Sequence, residues 1–547
     1  MTVTSPLASQ ARAQQLRSLA GQRFDLLVIG GGITGAGVAR EAALRGLSVA
    51  LIDAEDFAAG TSSRSTKLIH GGLRYLAMGD FALVREAARE RKAVYAMAPH
   101  LAEPRWMMLP VASRPALWKY RTAVALYERL GAVAPSDRHQ IWGEAELAEQ
   151  EPRLNRKAFP LACAYREYLT DDARLVLAVL RAAVAGGAVA ANYLKAESLL
   201  RTAKGGRVTG ATVRCALTGD TFPIRARAVV NAAGPWVAKL AEEDPAPSAK
   251  PLHLSKGVHI VLPRAALPVQ HLSFLETQDK RLIFTVPYLD TVFVGTTDTS
   301  YDAEQWLWPE VLRDEISYLL EPLKRYYTDA ALAPERVVAA WAGVRPLIHE
   351  AGKSAKSTSR KDEVWVGAGG LVTVAGGKLT GFRKMAESVL SAVEASSELT
   401  LGPAPGPTSL PGAGAPIPTL AARLPREGNL SEASAQRLAR LYGEDGSKVL
   451  ALGPAPLAGG AVLEGEVRWA LAQEAPQQLE DLLYRRLRAA WFAPAERDAL
   501  LAPAAALMGQ ALGWSPERRA QEVAQTKARI AQELAFKGLE AVPRAVA

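Results

Sequence analysis

The chain has 547 residues, 49% hydrophobic and 22% charged, which at about 100–200 residues per domain is room for two or three domains with a sizeable core. Its two cysteines, Cys163 and Cys215, are too few and too far apart for a disulfide framework or a cysteine metal site, which points to a reducing compartment. No stretch reaches the roughly 18 apolar residues of a spanning helix, and a net charge of +9 suits either simple solubility or an anionic partner: substrate, lipid or nucleic acid.

Residues 1–22, MTVTSPLASQARAQQLRSLAGQ, lack the continuous apolar segment of a signal peptide and read as an N-terminal extension. The organising stretch follows: FDLLVIGGGITGAGVAREAALRGLSVALID, residues 24–53, reads strand, tight turn, helix, strand. Gly30 permits the turn, Gly32 lets the backbone approach a pyrophosphate, Gly35 lets the helix pack on the strand, and the helix N-terminus faces the phosphates. Ala39 and Gly46 complete the pattern, and Asp53 ends the second strand where a carboxylate accepts ribose hydroxyls. A lone glycine turn is weak evidence, but all these parts in register predict a bound dinucleotide. The acid at 53 argues against a ribose 2′-phosphate and leaves FAD and NAD both open.

Next comes a polar loop, TSSRSTKLIHGGLRYL, residues 61–76, whose hydroxyls, bases and adjacent glycines at 71 and 72 suit a phosphate-bearing ligand. Helical spacing over 81–97 leads into alternating short strands and helices, among them an amphipathic helix over 172–185 capped by Asp171. Residues 188–231 read as three or four strands, the last of which, ARAVVNAAGPWV, runs into Asn231, turns at Gly234 and opens a helix with Pro235. KGVHIVLP, RLIFTVPYL and TVFVGTT, between residues 256 and 297, predict an antiparallel sheet flooring a substrate pocket. A helix over 309–327 interrupts, strands resume around 337–343 and 364–366, and GGLVTVAGGKLTGFRKMAE, residues 369–387, makes a third glycine turn into a helix. The three glycine turns are expected to converge on one ligand. Residues 401–419 are a proline- and glycine-rich linker, and 420–547, rich in Ala, Leu, Arg and Glu, read as a helical C-terminal domain.

TSSRSTKLIHGGLRYL, VVNAAGPW, KGVHIVLP, VGTTDTSY, WAGVRPL and GGKLTGFRK occur in this order after the dinucleotide motif, and in this the chain resembles the FAD-dependent glycerol-3-phosphate dehydrogenases. The match is dense over about residues 24–390; further on, EDLLYRRLRAAWF resembles the family's Leu- and Arg-rich helix. The resemblance implies FAD rather than NAD, and oxidation of glycerol 3-phosphate to dihydroxyacetone phosphate with electrons passed to a membrane quinone. It implies an α/β chain: a doubly wound FAD-binding domain interleaved over 23–400 with an antiparallel β-sheet substrate domain (mainly 80–185 and 250–345), plus a C-terminal all-α domain. It also implies a cytoplasmic protein peripherally attached to the anionic inner face of the cell membrane, with a homodimer possible and no nucleic acid as partner.

A phosphomonoester carries nearly two negative charges near neutral pH and needs clustered cationic donors. Arg74, Arg345 and Lys378 match the family's substrate contacts, with Tyr75 as a further hydroxyl donor, whereas Arg64, Arg281 and Arg383 read as ordinary charges. Hydride loss from a secondary alcohol requires its hydroxyl proton to leave too, so a base or an alkoxide-stabilising cation must touch that oxygen. His259 in KGVHIVLP matches the family's substrate-lining position and is the expected base; it can equally be a histidine satisfied inside a sheet, with Arg345 stabilising the alkoxide and water taking the proton. His70 is expected at the flavin or holding its loop, His253 has no role, and Asp298 is expected to satisfy turn amides. For the cofactor, Thr61, Ser62, Ser63, Ser65, Thr66, Lys67 and Gly71 suit flavin or pyrophosphate contacts beside Gly30, Gly32, Gly35, Asp53 and Gly234. Gly376 and Gly377, followed by Leu379 and Thr380, are expected to place a helix N-terminus at the reduced flavin. Metal-ligand spacing and GxSxG-type nucleophile motifs are both lacking.

Competing readings remain at this level. One is an oxygen-reducing glycerophosphate oxidase, and another is a sister flavoenzyme acting on a hydroxy acid or amino acid. A third is a basic flavoprotein that binds nucleic acid through a cluster such as Arg485, Arg486 and Arg488. The same arginines suit anionic lipid, or a helix packed on the first domain, which ranks first.

Overall fold

The run after Arg23 becomes a central strand because it buries both faces: Leu26 and Val28 turn to one side, Leu27 and Ile29 to the other. In the computed structural model, which describes residues 5–71, 79–203, 206–328, 332–348 and 363–538, this strand, Arg23–Ile29, lies between parallel partners Val49–Ile52 and Thr221–Asn231. The sheet extends to Val189–Ala191 beyond the first partner, and to Val372–Ala375 and the antiparallel Glu363–Val366 beyond the second. Helices Ile33–Leu44, Asp172–Ala185 and Phe382–Ser396 cover one face. The other is covered by the hairpin Leu194–Arg201/Val208–Cys215 and by a helix, Arg12–Gly21, formed from the N-terminal extension.

The second sheet has ten strands and takes its members from two distant parts of the chain, Leu68–Ile69 through Leu161–Leu169 and Leu252–Pro263 through Ala339–Ile348. It is antiparallel except where Leu272–Glu276 runs parallel to Glu103–Val111 and joins the two parts. Helix Arg313–Tyr326 packs on one face, with Val258, Ile260, Val292 and Val294 beneath it. On the other face Trp341, Phe293 and Tyr288 meet Trp491 and Phe492 of the C-terminal helices, so the C-terminal segment and the second sheet share one core.

The C-terminal helices keep a small core of their own, including Leu420, Leu438, Tyr442 and Trp469. The proline-rich segment before them is strapped to the body rather than free, because Gly402 and Leu410 amides donate to the Arg45 and Met97 carbonyls and the Arg40 guanidinium donates to Thr408. Arg485, Arg486 and Arg488 are fully buried. Arg485 and Arg486 pair with Asp56, and Arg488 bonds Asp171 (2.8 Å) and Asp172 (3.0 Å). They therefore dock neither nucleic acid nor lipid; of the readings open in the sequence, the helix packed on the first domain is the one the structure has. Among the described residues no helix is long and apolar enough to cross a membrane.

Candidate active site

A cleft of about 1280 Å³ opens where the two sheets meet. Its first wall is the strand–turn–helix motif: Gly30, Gly32, Ile33 and Thr34 line it, beside Asp53, Thr61 and Ser62. Gly30 turns at φ +116°, and a Cβ at Gly35 would overlap the Gly30 carbonyl oxygen, so the helix starts against the strand end only because both are glycine. The Ile33 amide donates to Ser62 Oγ at 3.0 Å. Asp53 accepts from the Gly31 amide at 2.6 Å and the Glu55 amide at 2.9 Å. Burial pushes its carboxyl up to about 7, the two amides opposing and Asp56 and Glu55 adding to the rise. A helix N-terminus and a carboxylate sharing one wall fit the pyrophosphate and ribose of FAD. Gly234, and Gly376 to Thr380 with His70, line the same cleft. The last two are stitched together, since Thr380 Oγ1 accepts from the His70 amide (3.2 Å) and donates to its carbonyl (3.3 Å).

The opposite wall belongs to the second sheet. Arg345 lines it on strand Ala339–Ile348, its guanidinium donating to Thr296 Oγ1 at 2.9 Å and standing 3.6 Å from Asp298. Asp298 accepts from the Ser255 hydroxyl and stands beside the Arg345 guanidinium. Thr66, Thr296, Lys378 and Arg281 also line the cleft. Arg281, set aside from sequence as an ordinary charge, reaches the site by donating to the Asp298 carbonyl at 2.8 Å while pairing with Asp279. The signal for Thr296 was the VGTTDTSY motif, whose threonines bear on geometry only once the strands are paired.

Gly35, Ser63, Lys67, Gly71 and His259, all expected at the ligand, do not line the cleft. His259 is wholly enclosed and does not line the cleft; its ring stacks on Trp341 at 4.9 Å and its Nε2 is 3.0 Å from the Thr66 hydroxyl, which does. Burial, with the cations of Lys67 and Arg345 nearby, holds the imidazole well below its ordinary range, not near neutrality. Lys67 is equally buried: its ammonium donates to Asp172 at 3.0 Å and to the Ser63 carbonyl, so it secures the loop rather than reaching the cleft. Burial lowers it to about 8, against the pull of Asp172. Ser65 lines the cleft but gives its hydroxyl to Asp172 at 2.7 Å. Gly71 faces the Tyr127 hydroxyl, to which its amide donates at 3.1 Å, and Gly35 serves packing alone. Arg64, read from sequence as an ordinary charge, lines the cleft, buried over Trp308 at 3.9 Å and holding the Ala342 carbonyl. Arg74 and Tyr75 lie outside the described residues. Among the described residues no cluster of His, Cys, Asp and Glu could hold a metal ion.

Comparison with known proteins agrees with this geometry. Residues 25–383 match the FAD dependent oxidoreductase family and residues 407–519 the C-terminal domain of alpha-glycerophosphate oxidase. An aerobic glycerol-3-phosphate dehydrogenase of Staphylococcus aureus is 41% identical over 390 residues, 71% of this chain and 70% of its own. The crystal structure of a glycerol-3-phosphate dehydrogenase from Bacillus halodurans complexed with FAD superposes with TM-score 0.79 at 32% identity, covering 98% of this chain and 100% of that one. An L-alpha-glycerophosphate oxidase from Mycoplasma pneumoniae, also with FAD bound, shares the fold at TM-score 0.55 and 16% identity over 71% of this chain and 98% of its own. With the cofactor wall, the second sheet and the helical C-terminal segment all matched, the chain belongs to the FAD-dependent glycerol-3-phosphate dehydrogenases within the FAD dependent oxidoreductase family.

Proposed function

We propose that the protein oxidises sn-glycerol 3-phosphate at its secondary alcohol to dihydroxyacetone phosphate and delivers the electrons to a membrane quinone. The observation that carries this reading is a single cleft lined both by the dinucleotide motif and by Arg345, Lys378 and Arg281. Several cations lining a cleft beside a flavin site suit a dianionic phosphate better than a single carboxylate. The names of the Staphylococcus aureus and Bacillus halodurans relatives point the same way.

FAD, when bound, supplies the hydride acceptor. The chain's own part is to bind the phosphate, with Arg74 and Tyr75 joining Arg345 and Lys378, and to remove the hydroxyl proton. That proton has a route in the Thr66 hydroxyl, which lines the cleft and is 3.0 Å from His259 Nε2. His259 then acts as base one hydroxyl removed from the substrate. Burial and the cations of Lys67 and Arg345 keep it unprotonated but make it a weak base, so the proton leaves only as Arg345 steadies the developing alkoxide. A quinone acceptor lives in the bilayer, and net charge +9 suits a peripheral position on its anionic inner face.

The test is anaerobic bleaching of the flavin spectrum by glycerol 3-phosphate, followed by quinone or oxygen. Rapid bleaching with recovery by quinone is expected. Fast recovery by oxygen would move the reading to an oxidase, as the matched C-terminal domain of alpha-glycerophosphate oxidase allows. No bleaching of FAD-loaded protein would break the substrate assignment.

A further inference from the structure

The loop between strand Thr299–Ser300 and helix Arg313–Tyr326 brings Trp306 to the cleft from the side of the second sheet. From the cofactor layer Trp236 reaches the same cleft, at the end of the turn Gly234–Trp236 that follows strand Thr221–Asn231. The two indoles meet with 6.0 Å between ring centroids and 50° between their planes, and each is half-buried. No step of the proposed reaction uses either of them.

Both arms of this contact are seated on the cofactor loop. Trp236 fills the space that Gly60 leaves, since a Cβ there would stand 3.2 Å from its ring. Trp308, two residues past Trp306 and buried, stacks on the Arg64 guanidinium at 3.9 Å. Between Gly60 and Arg64 lies Ser62, whose hydroxyl accepts from the Ile33 amide at the start of the cofactor helix. The tip of the loop, by contrast, is bonded only to itself: among the described residues every hydrogen bond made by residues 302–307 stays within 301–306. The Tyr301 hydroxyl donates to the Gln305 carbonyl at 3.0 Å, the Trp306 amide to the Glu304 carbonyl at 2.9 Å and the Trp306 indole to the Ala303 carbonyl at 2.7 Å. The tip therefore keeps its own shape, and among the described residues its one ring contact across the cleft is with Trp236.

We propose that Trp236 and Trp306 form a clasp across the cleft that retains bound FAD, the dinucleotide entering and leaving when the two indoles part. A pair of apolar rings offers little to a small polar phosphate, and the Trp306 N–H already goes to Ala303. It suits instead a contact that excludes water and holds two layers together over a large ligand. An aromatic pair of this kind is strong enough to favour the closed state and weak enough to open without unfolding its neighbours. The self-bonded tip supplies a unit that can swing without breaking hydrogen bonds to the body. The inference rests on FAD binding and not on the choice of substrate or acceptor.

Exchange of bound FAD for isotopically labelled FAD, followed in the full-length holoenzyme, tests the clasp. Trp306→Ala is expected to exchange about threefold to tenfold faster than the wild type, the worth of one aromatic pair. Trp306→Phe, which keeps a ring without the indole N–H, should stay within about twofold of the wild type. Exchange in Trp306→Ala as slow as in the wild type would overturn the clasp. So would Trp306→Phe exchanging as fast as Trp306→Ala, which would trace the change to the lost bond with Ala303 and the shape of the loop. An unchanged exchange rate with a raised KM for glycerol 3-phosphate would also overturn it and give the loop to substrate entry. A wild-type flavin not bleached by glycerol 3-phosphate would leave FAD exchange readable and overturn only the functional reading, so the two failures are distinguishable.

Discussion

Arg345 owes its reach, its aim and its charge to three different neighbours. Gly257, on the paired strand, leaves the space its guanidinium occupies, because a Cβ there would overlap Nη2. The Thr296 hydroxyl accepts one N–H, and Asp298 balances the charge while leaving the guanidinium about a quarter exposed to the cleft. Arg345→Ala should therefore lower kcat/KM for glycerol 3-phosphate by roughly tenfold to a hundredfold, the worth of charged hydrogen bonds of about 1.5–3 kcal/mol. FAD content should stay near normal. Asp298→Asn keeps the acceptor and loses only a partly solvated ion pair, so a loss of about twofold to fivefold is expected. Equal losses in the two variants would show that Asp298 does more than aim the arginine. The proton route gives a sharper test. Thr66→Val removes the hydroxyl between cleft and His259 with little change of volume, and kcat should fall by about a hundredfold while Thr66→Ser retains most of it. A Thr66→Val enzyme with normal kcat would return the base role to direct contact or to water.

Among the elements, the turn Leu482–Arg486 and the residue Arg488 hold the cofactor loop from behind. Asp56 lies three positions past Asp53, and Asp171 and Asp172 open the helix Asp172–Ala185 that also anchors Ser65 and Lys67. Burial alone would raise Asp56, yet Arg486 and Arg485 hold it below the usual carboxylate range. Arg486→Ala should cost about 3–5 kcal/mol, because it strips a cation from a buried carboxylate. Adding Asp56→Asn should recover part of that in chemical unfolding, as coupled neighbours do. If the double variant is as unstable as the sum of the two singles, the pair is not coupled. This pairing explains why the arginine cluster was hard to read: Asp56, Asp171 and Asp172, which tie it to the cofactor loop, are more than 300 residues away in sequence, and local periodicity carries no information about them. By contrast, the elements around Gly30 and Asp53 were legible because their meaning is local: a strand, a turn and a helix in consecutive residues.

At the scale of the molecule, the repeated glycine turns and the alternating strands pointed to a cofactor layer and a substrate sheet. What stayed hidden was every relation made by long-range packing: His259 behind Thr66, Lys67 facing Asp172, and the proline-rich segment bound to the body. His100 shows what such a junction implies for the whole chain. It sits in the turn Pro99–Leu101, and its buried ring fills the space left by Gly412 of the strapped segment and Gly443 of the C-terminal helices. Burial, and then the cations of Arg174 and Arg181 against the opposing Asp445 and Glu444, lower its pKa to about 3. The unfolded chain, with an ordinary histidine near 6.5, takes up the proton first as pH falls. The contribution to stability is therefore complete above about 6.5 and is lost progressively between there and about 3, amounting to about 2 kcal/mol at pH 5. Denaturant unfolding at pH 7.5 and pH 5 should show this loss in the wild type. His100→Gln, starting from a lower stability, should lose about 2 kcal/mol less between the same two pH values. Parallel losses in the two proteins would place the acid sensitivity in other groups and leave His100 as packing alone.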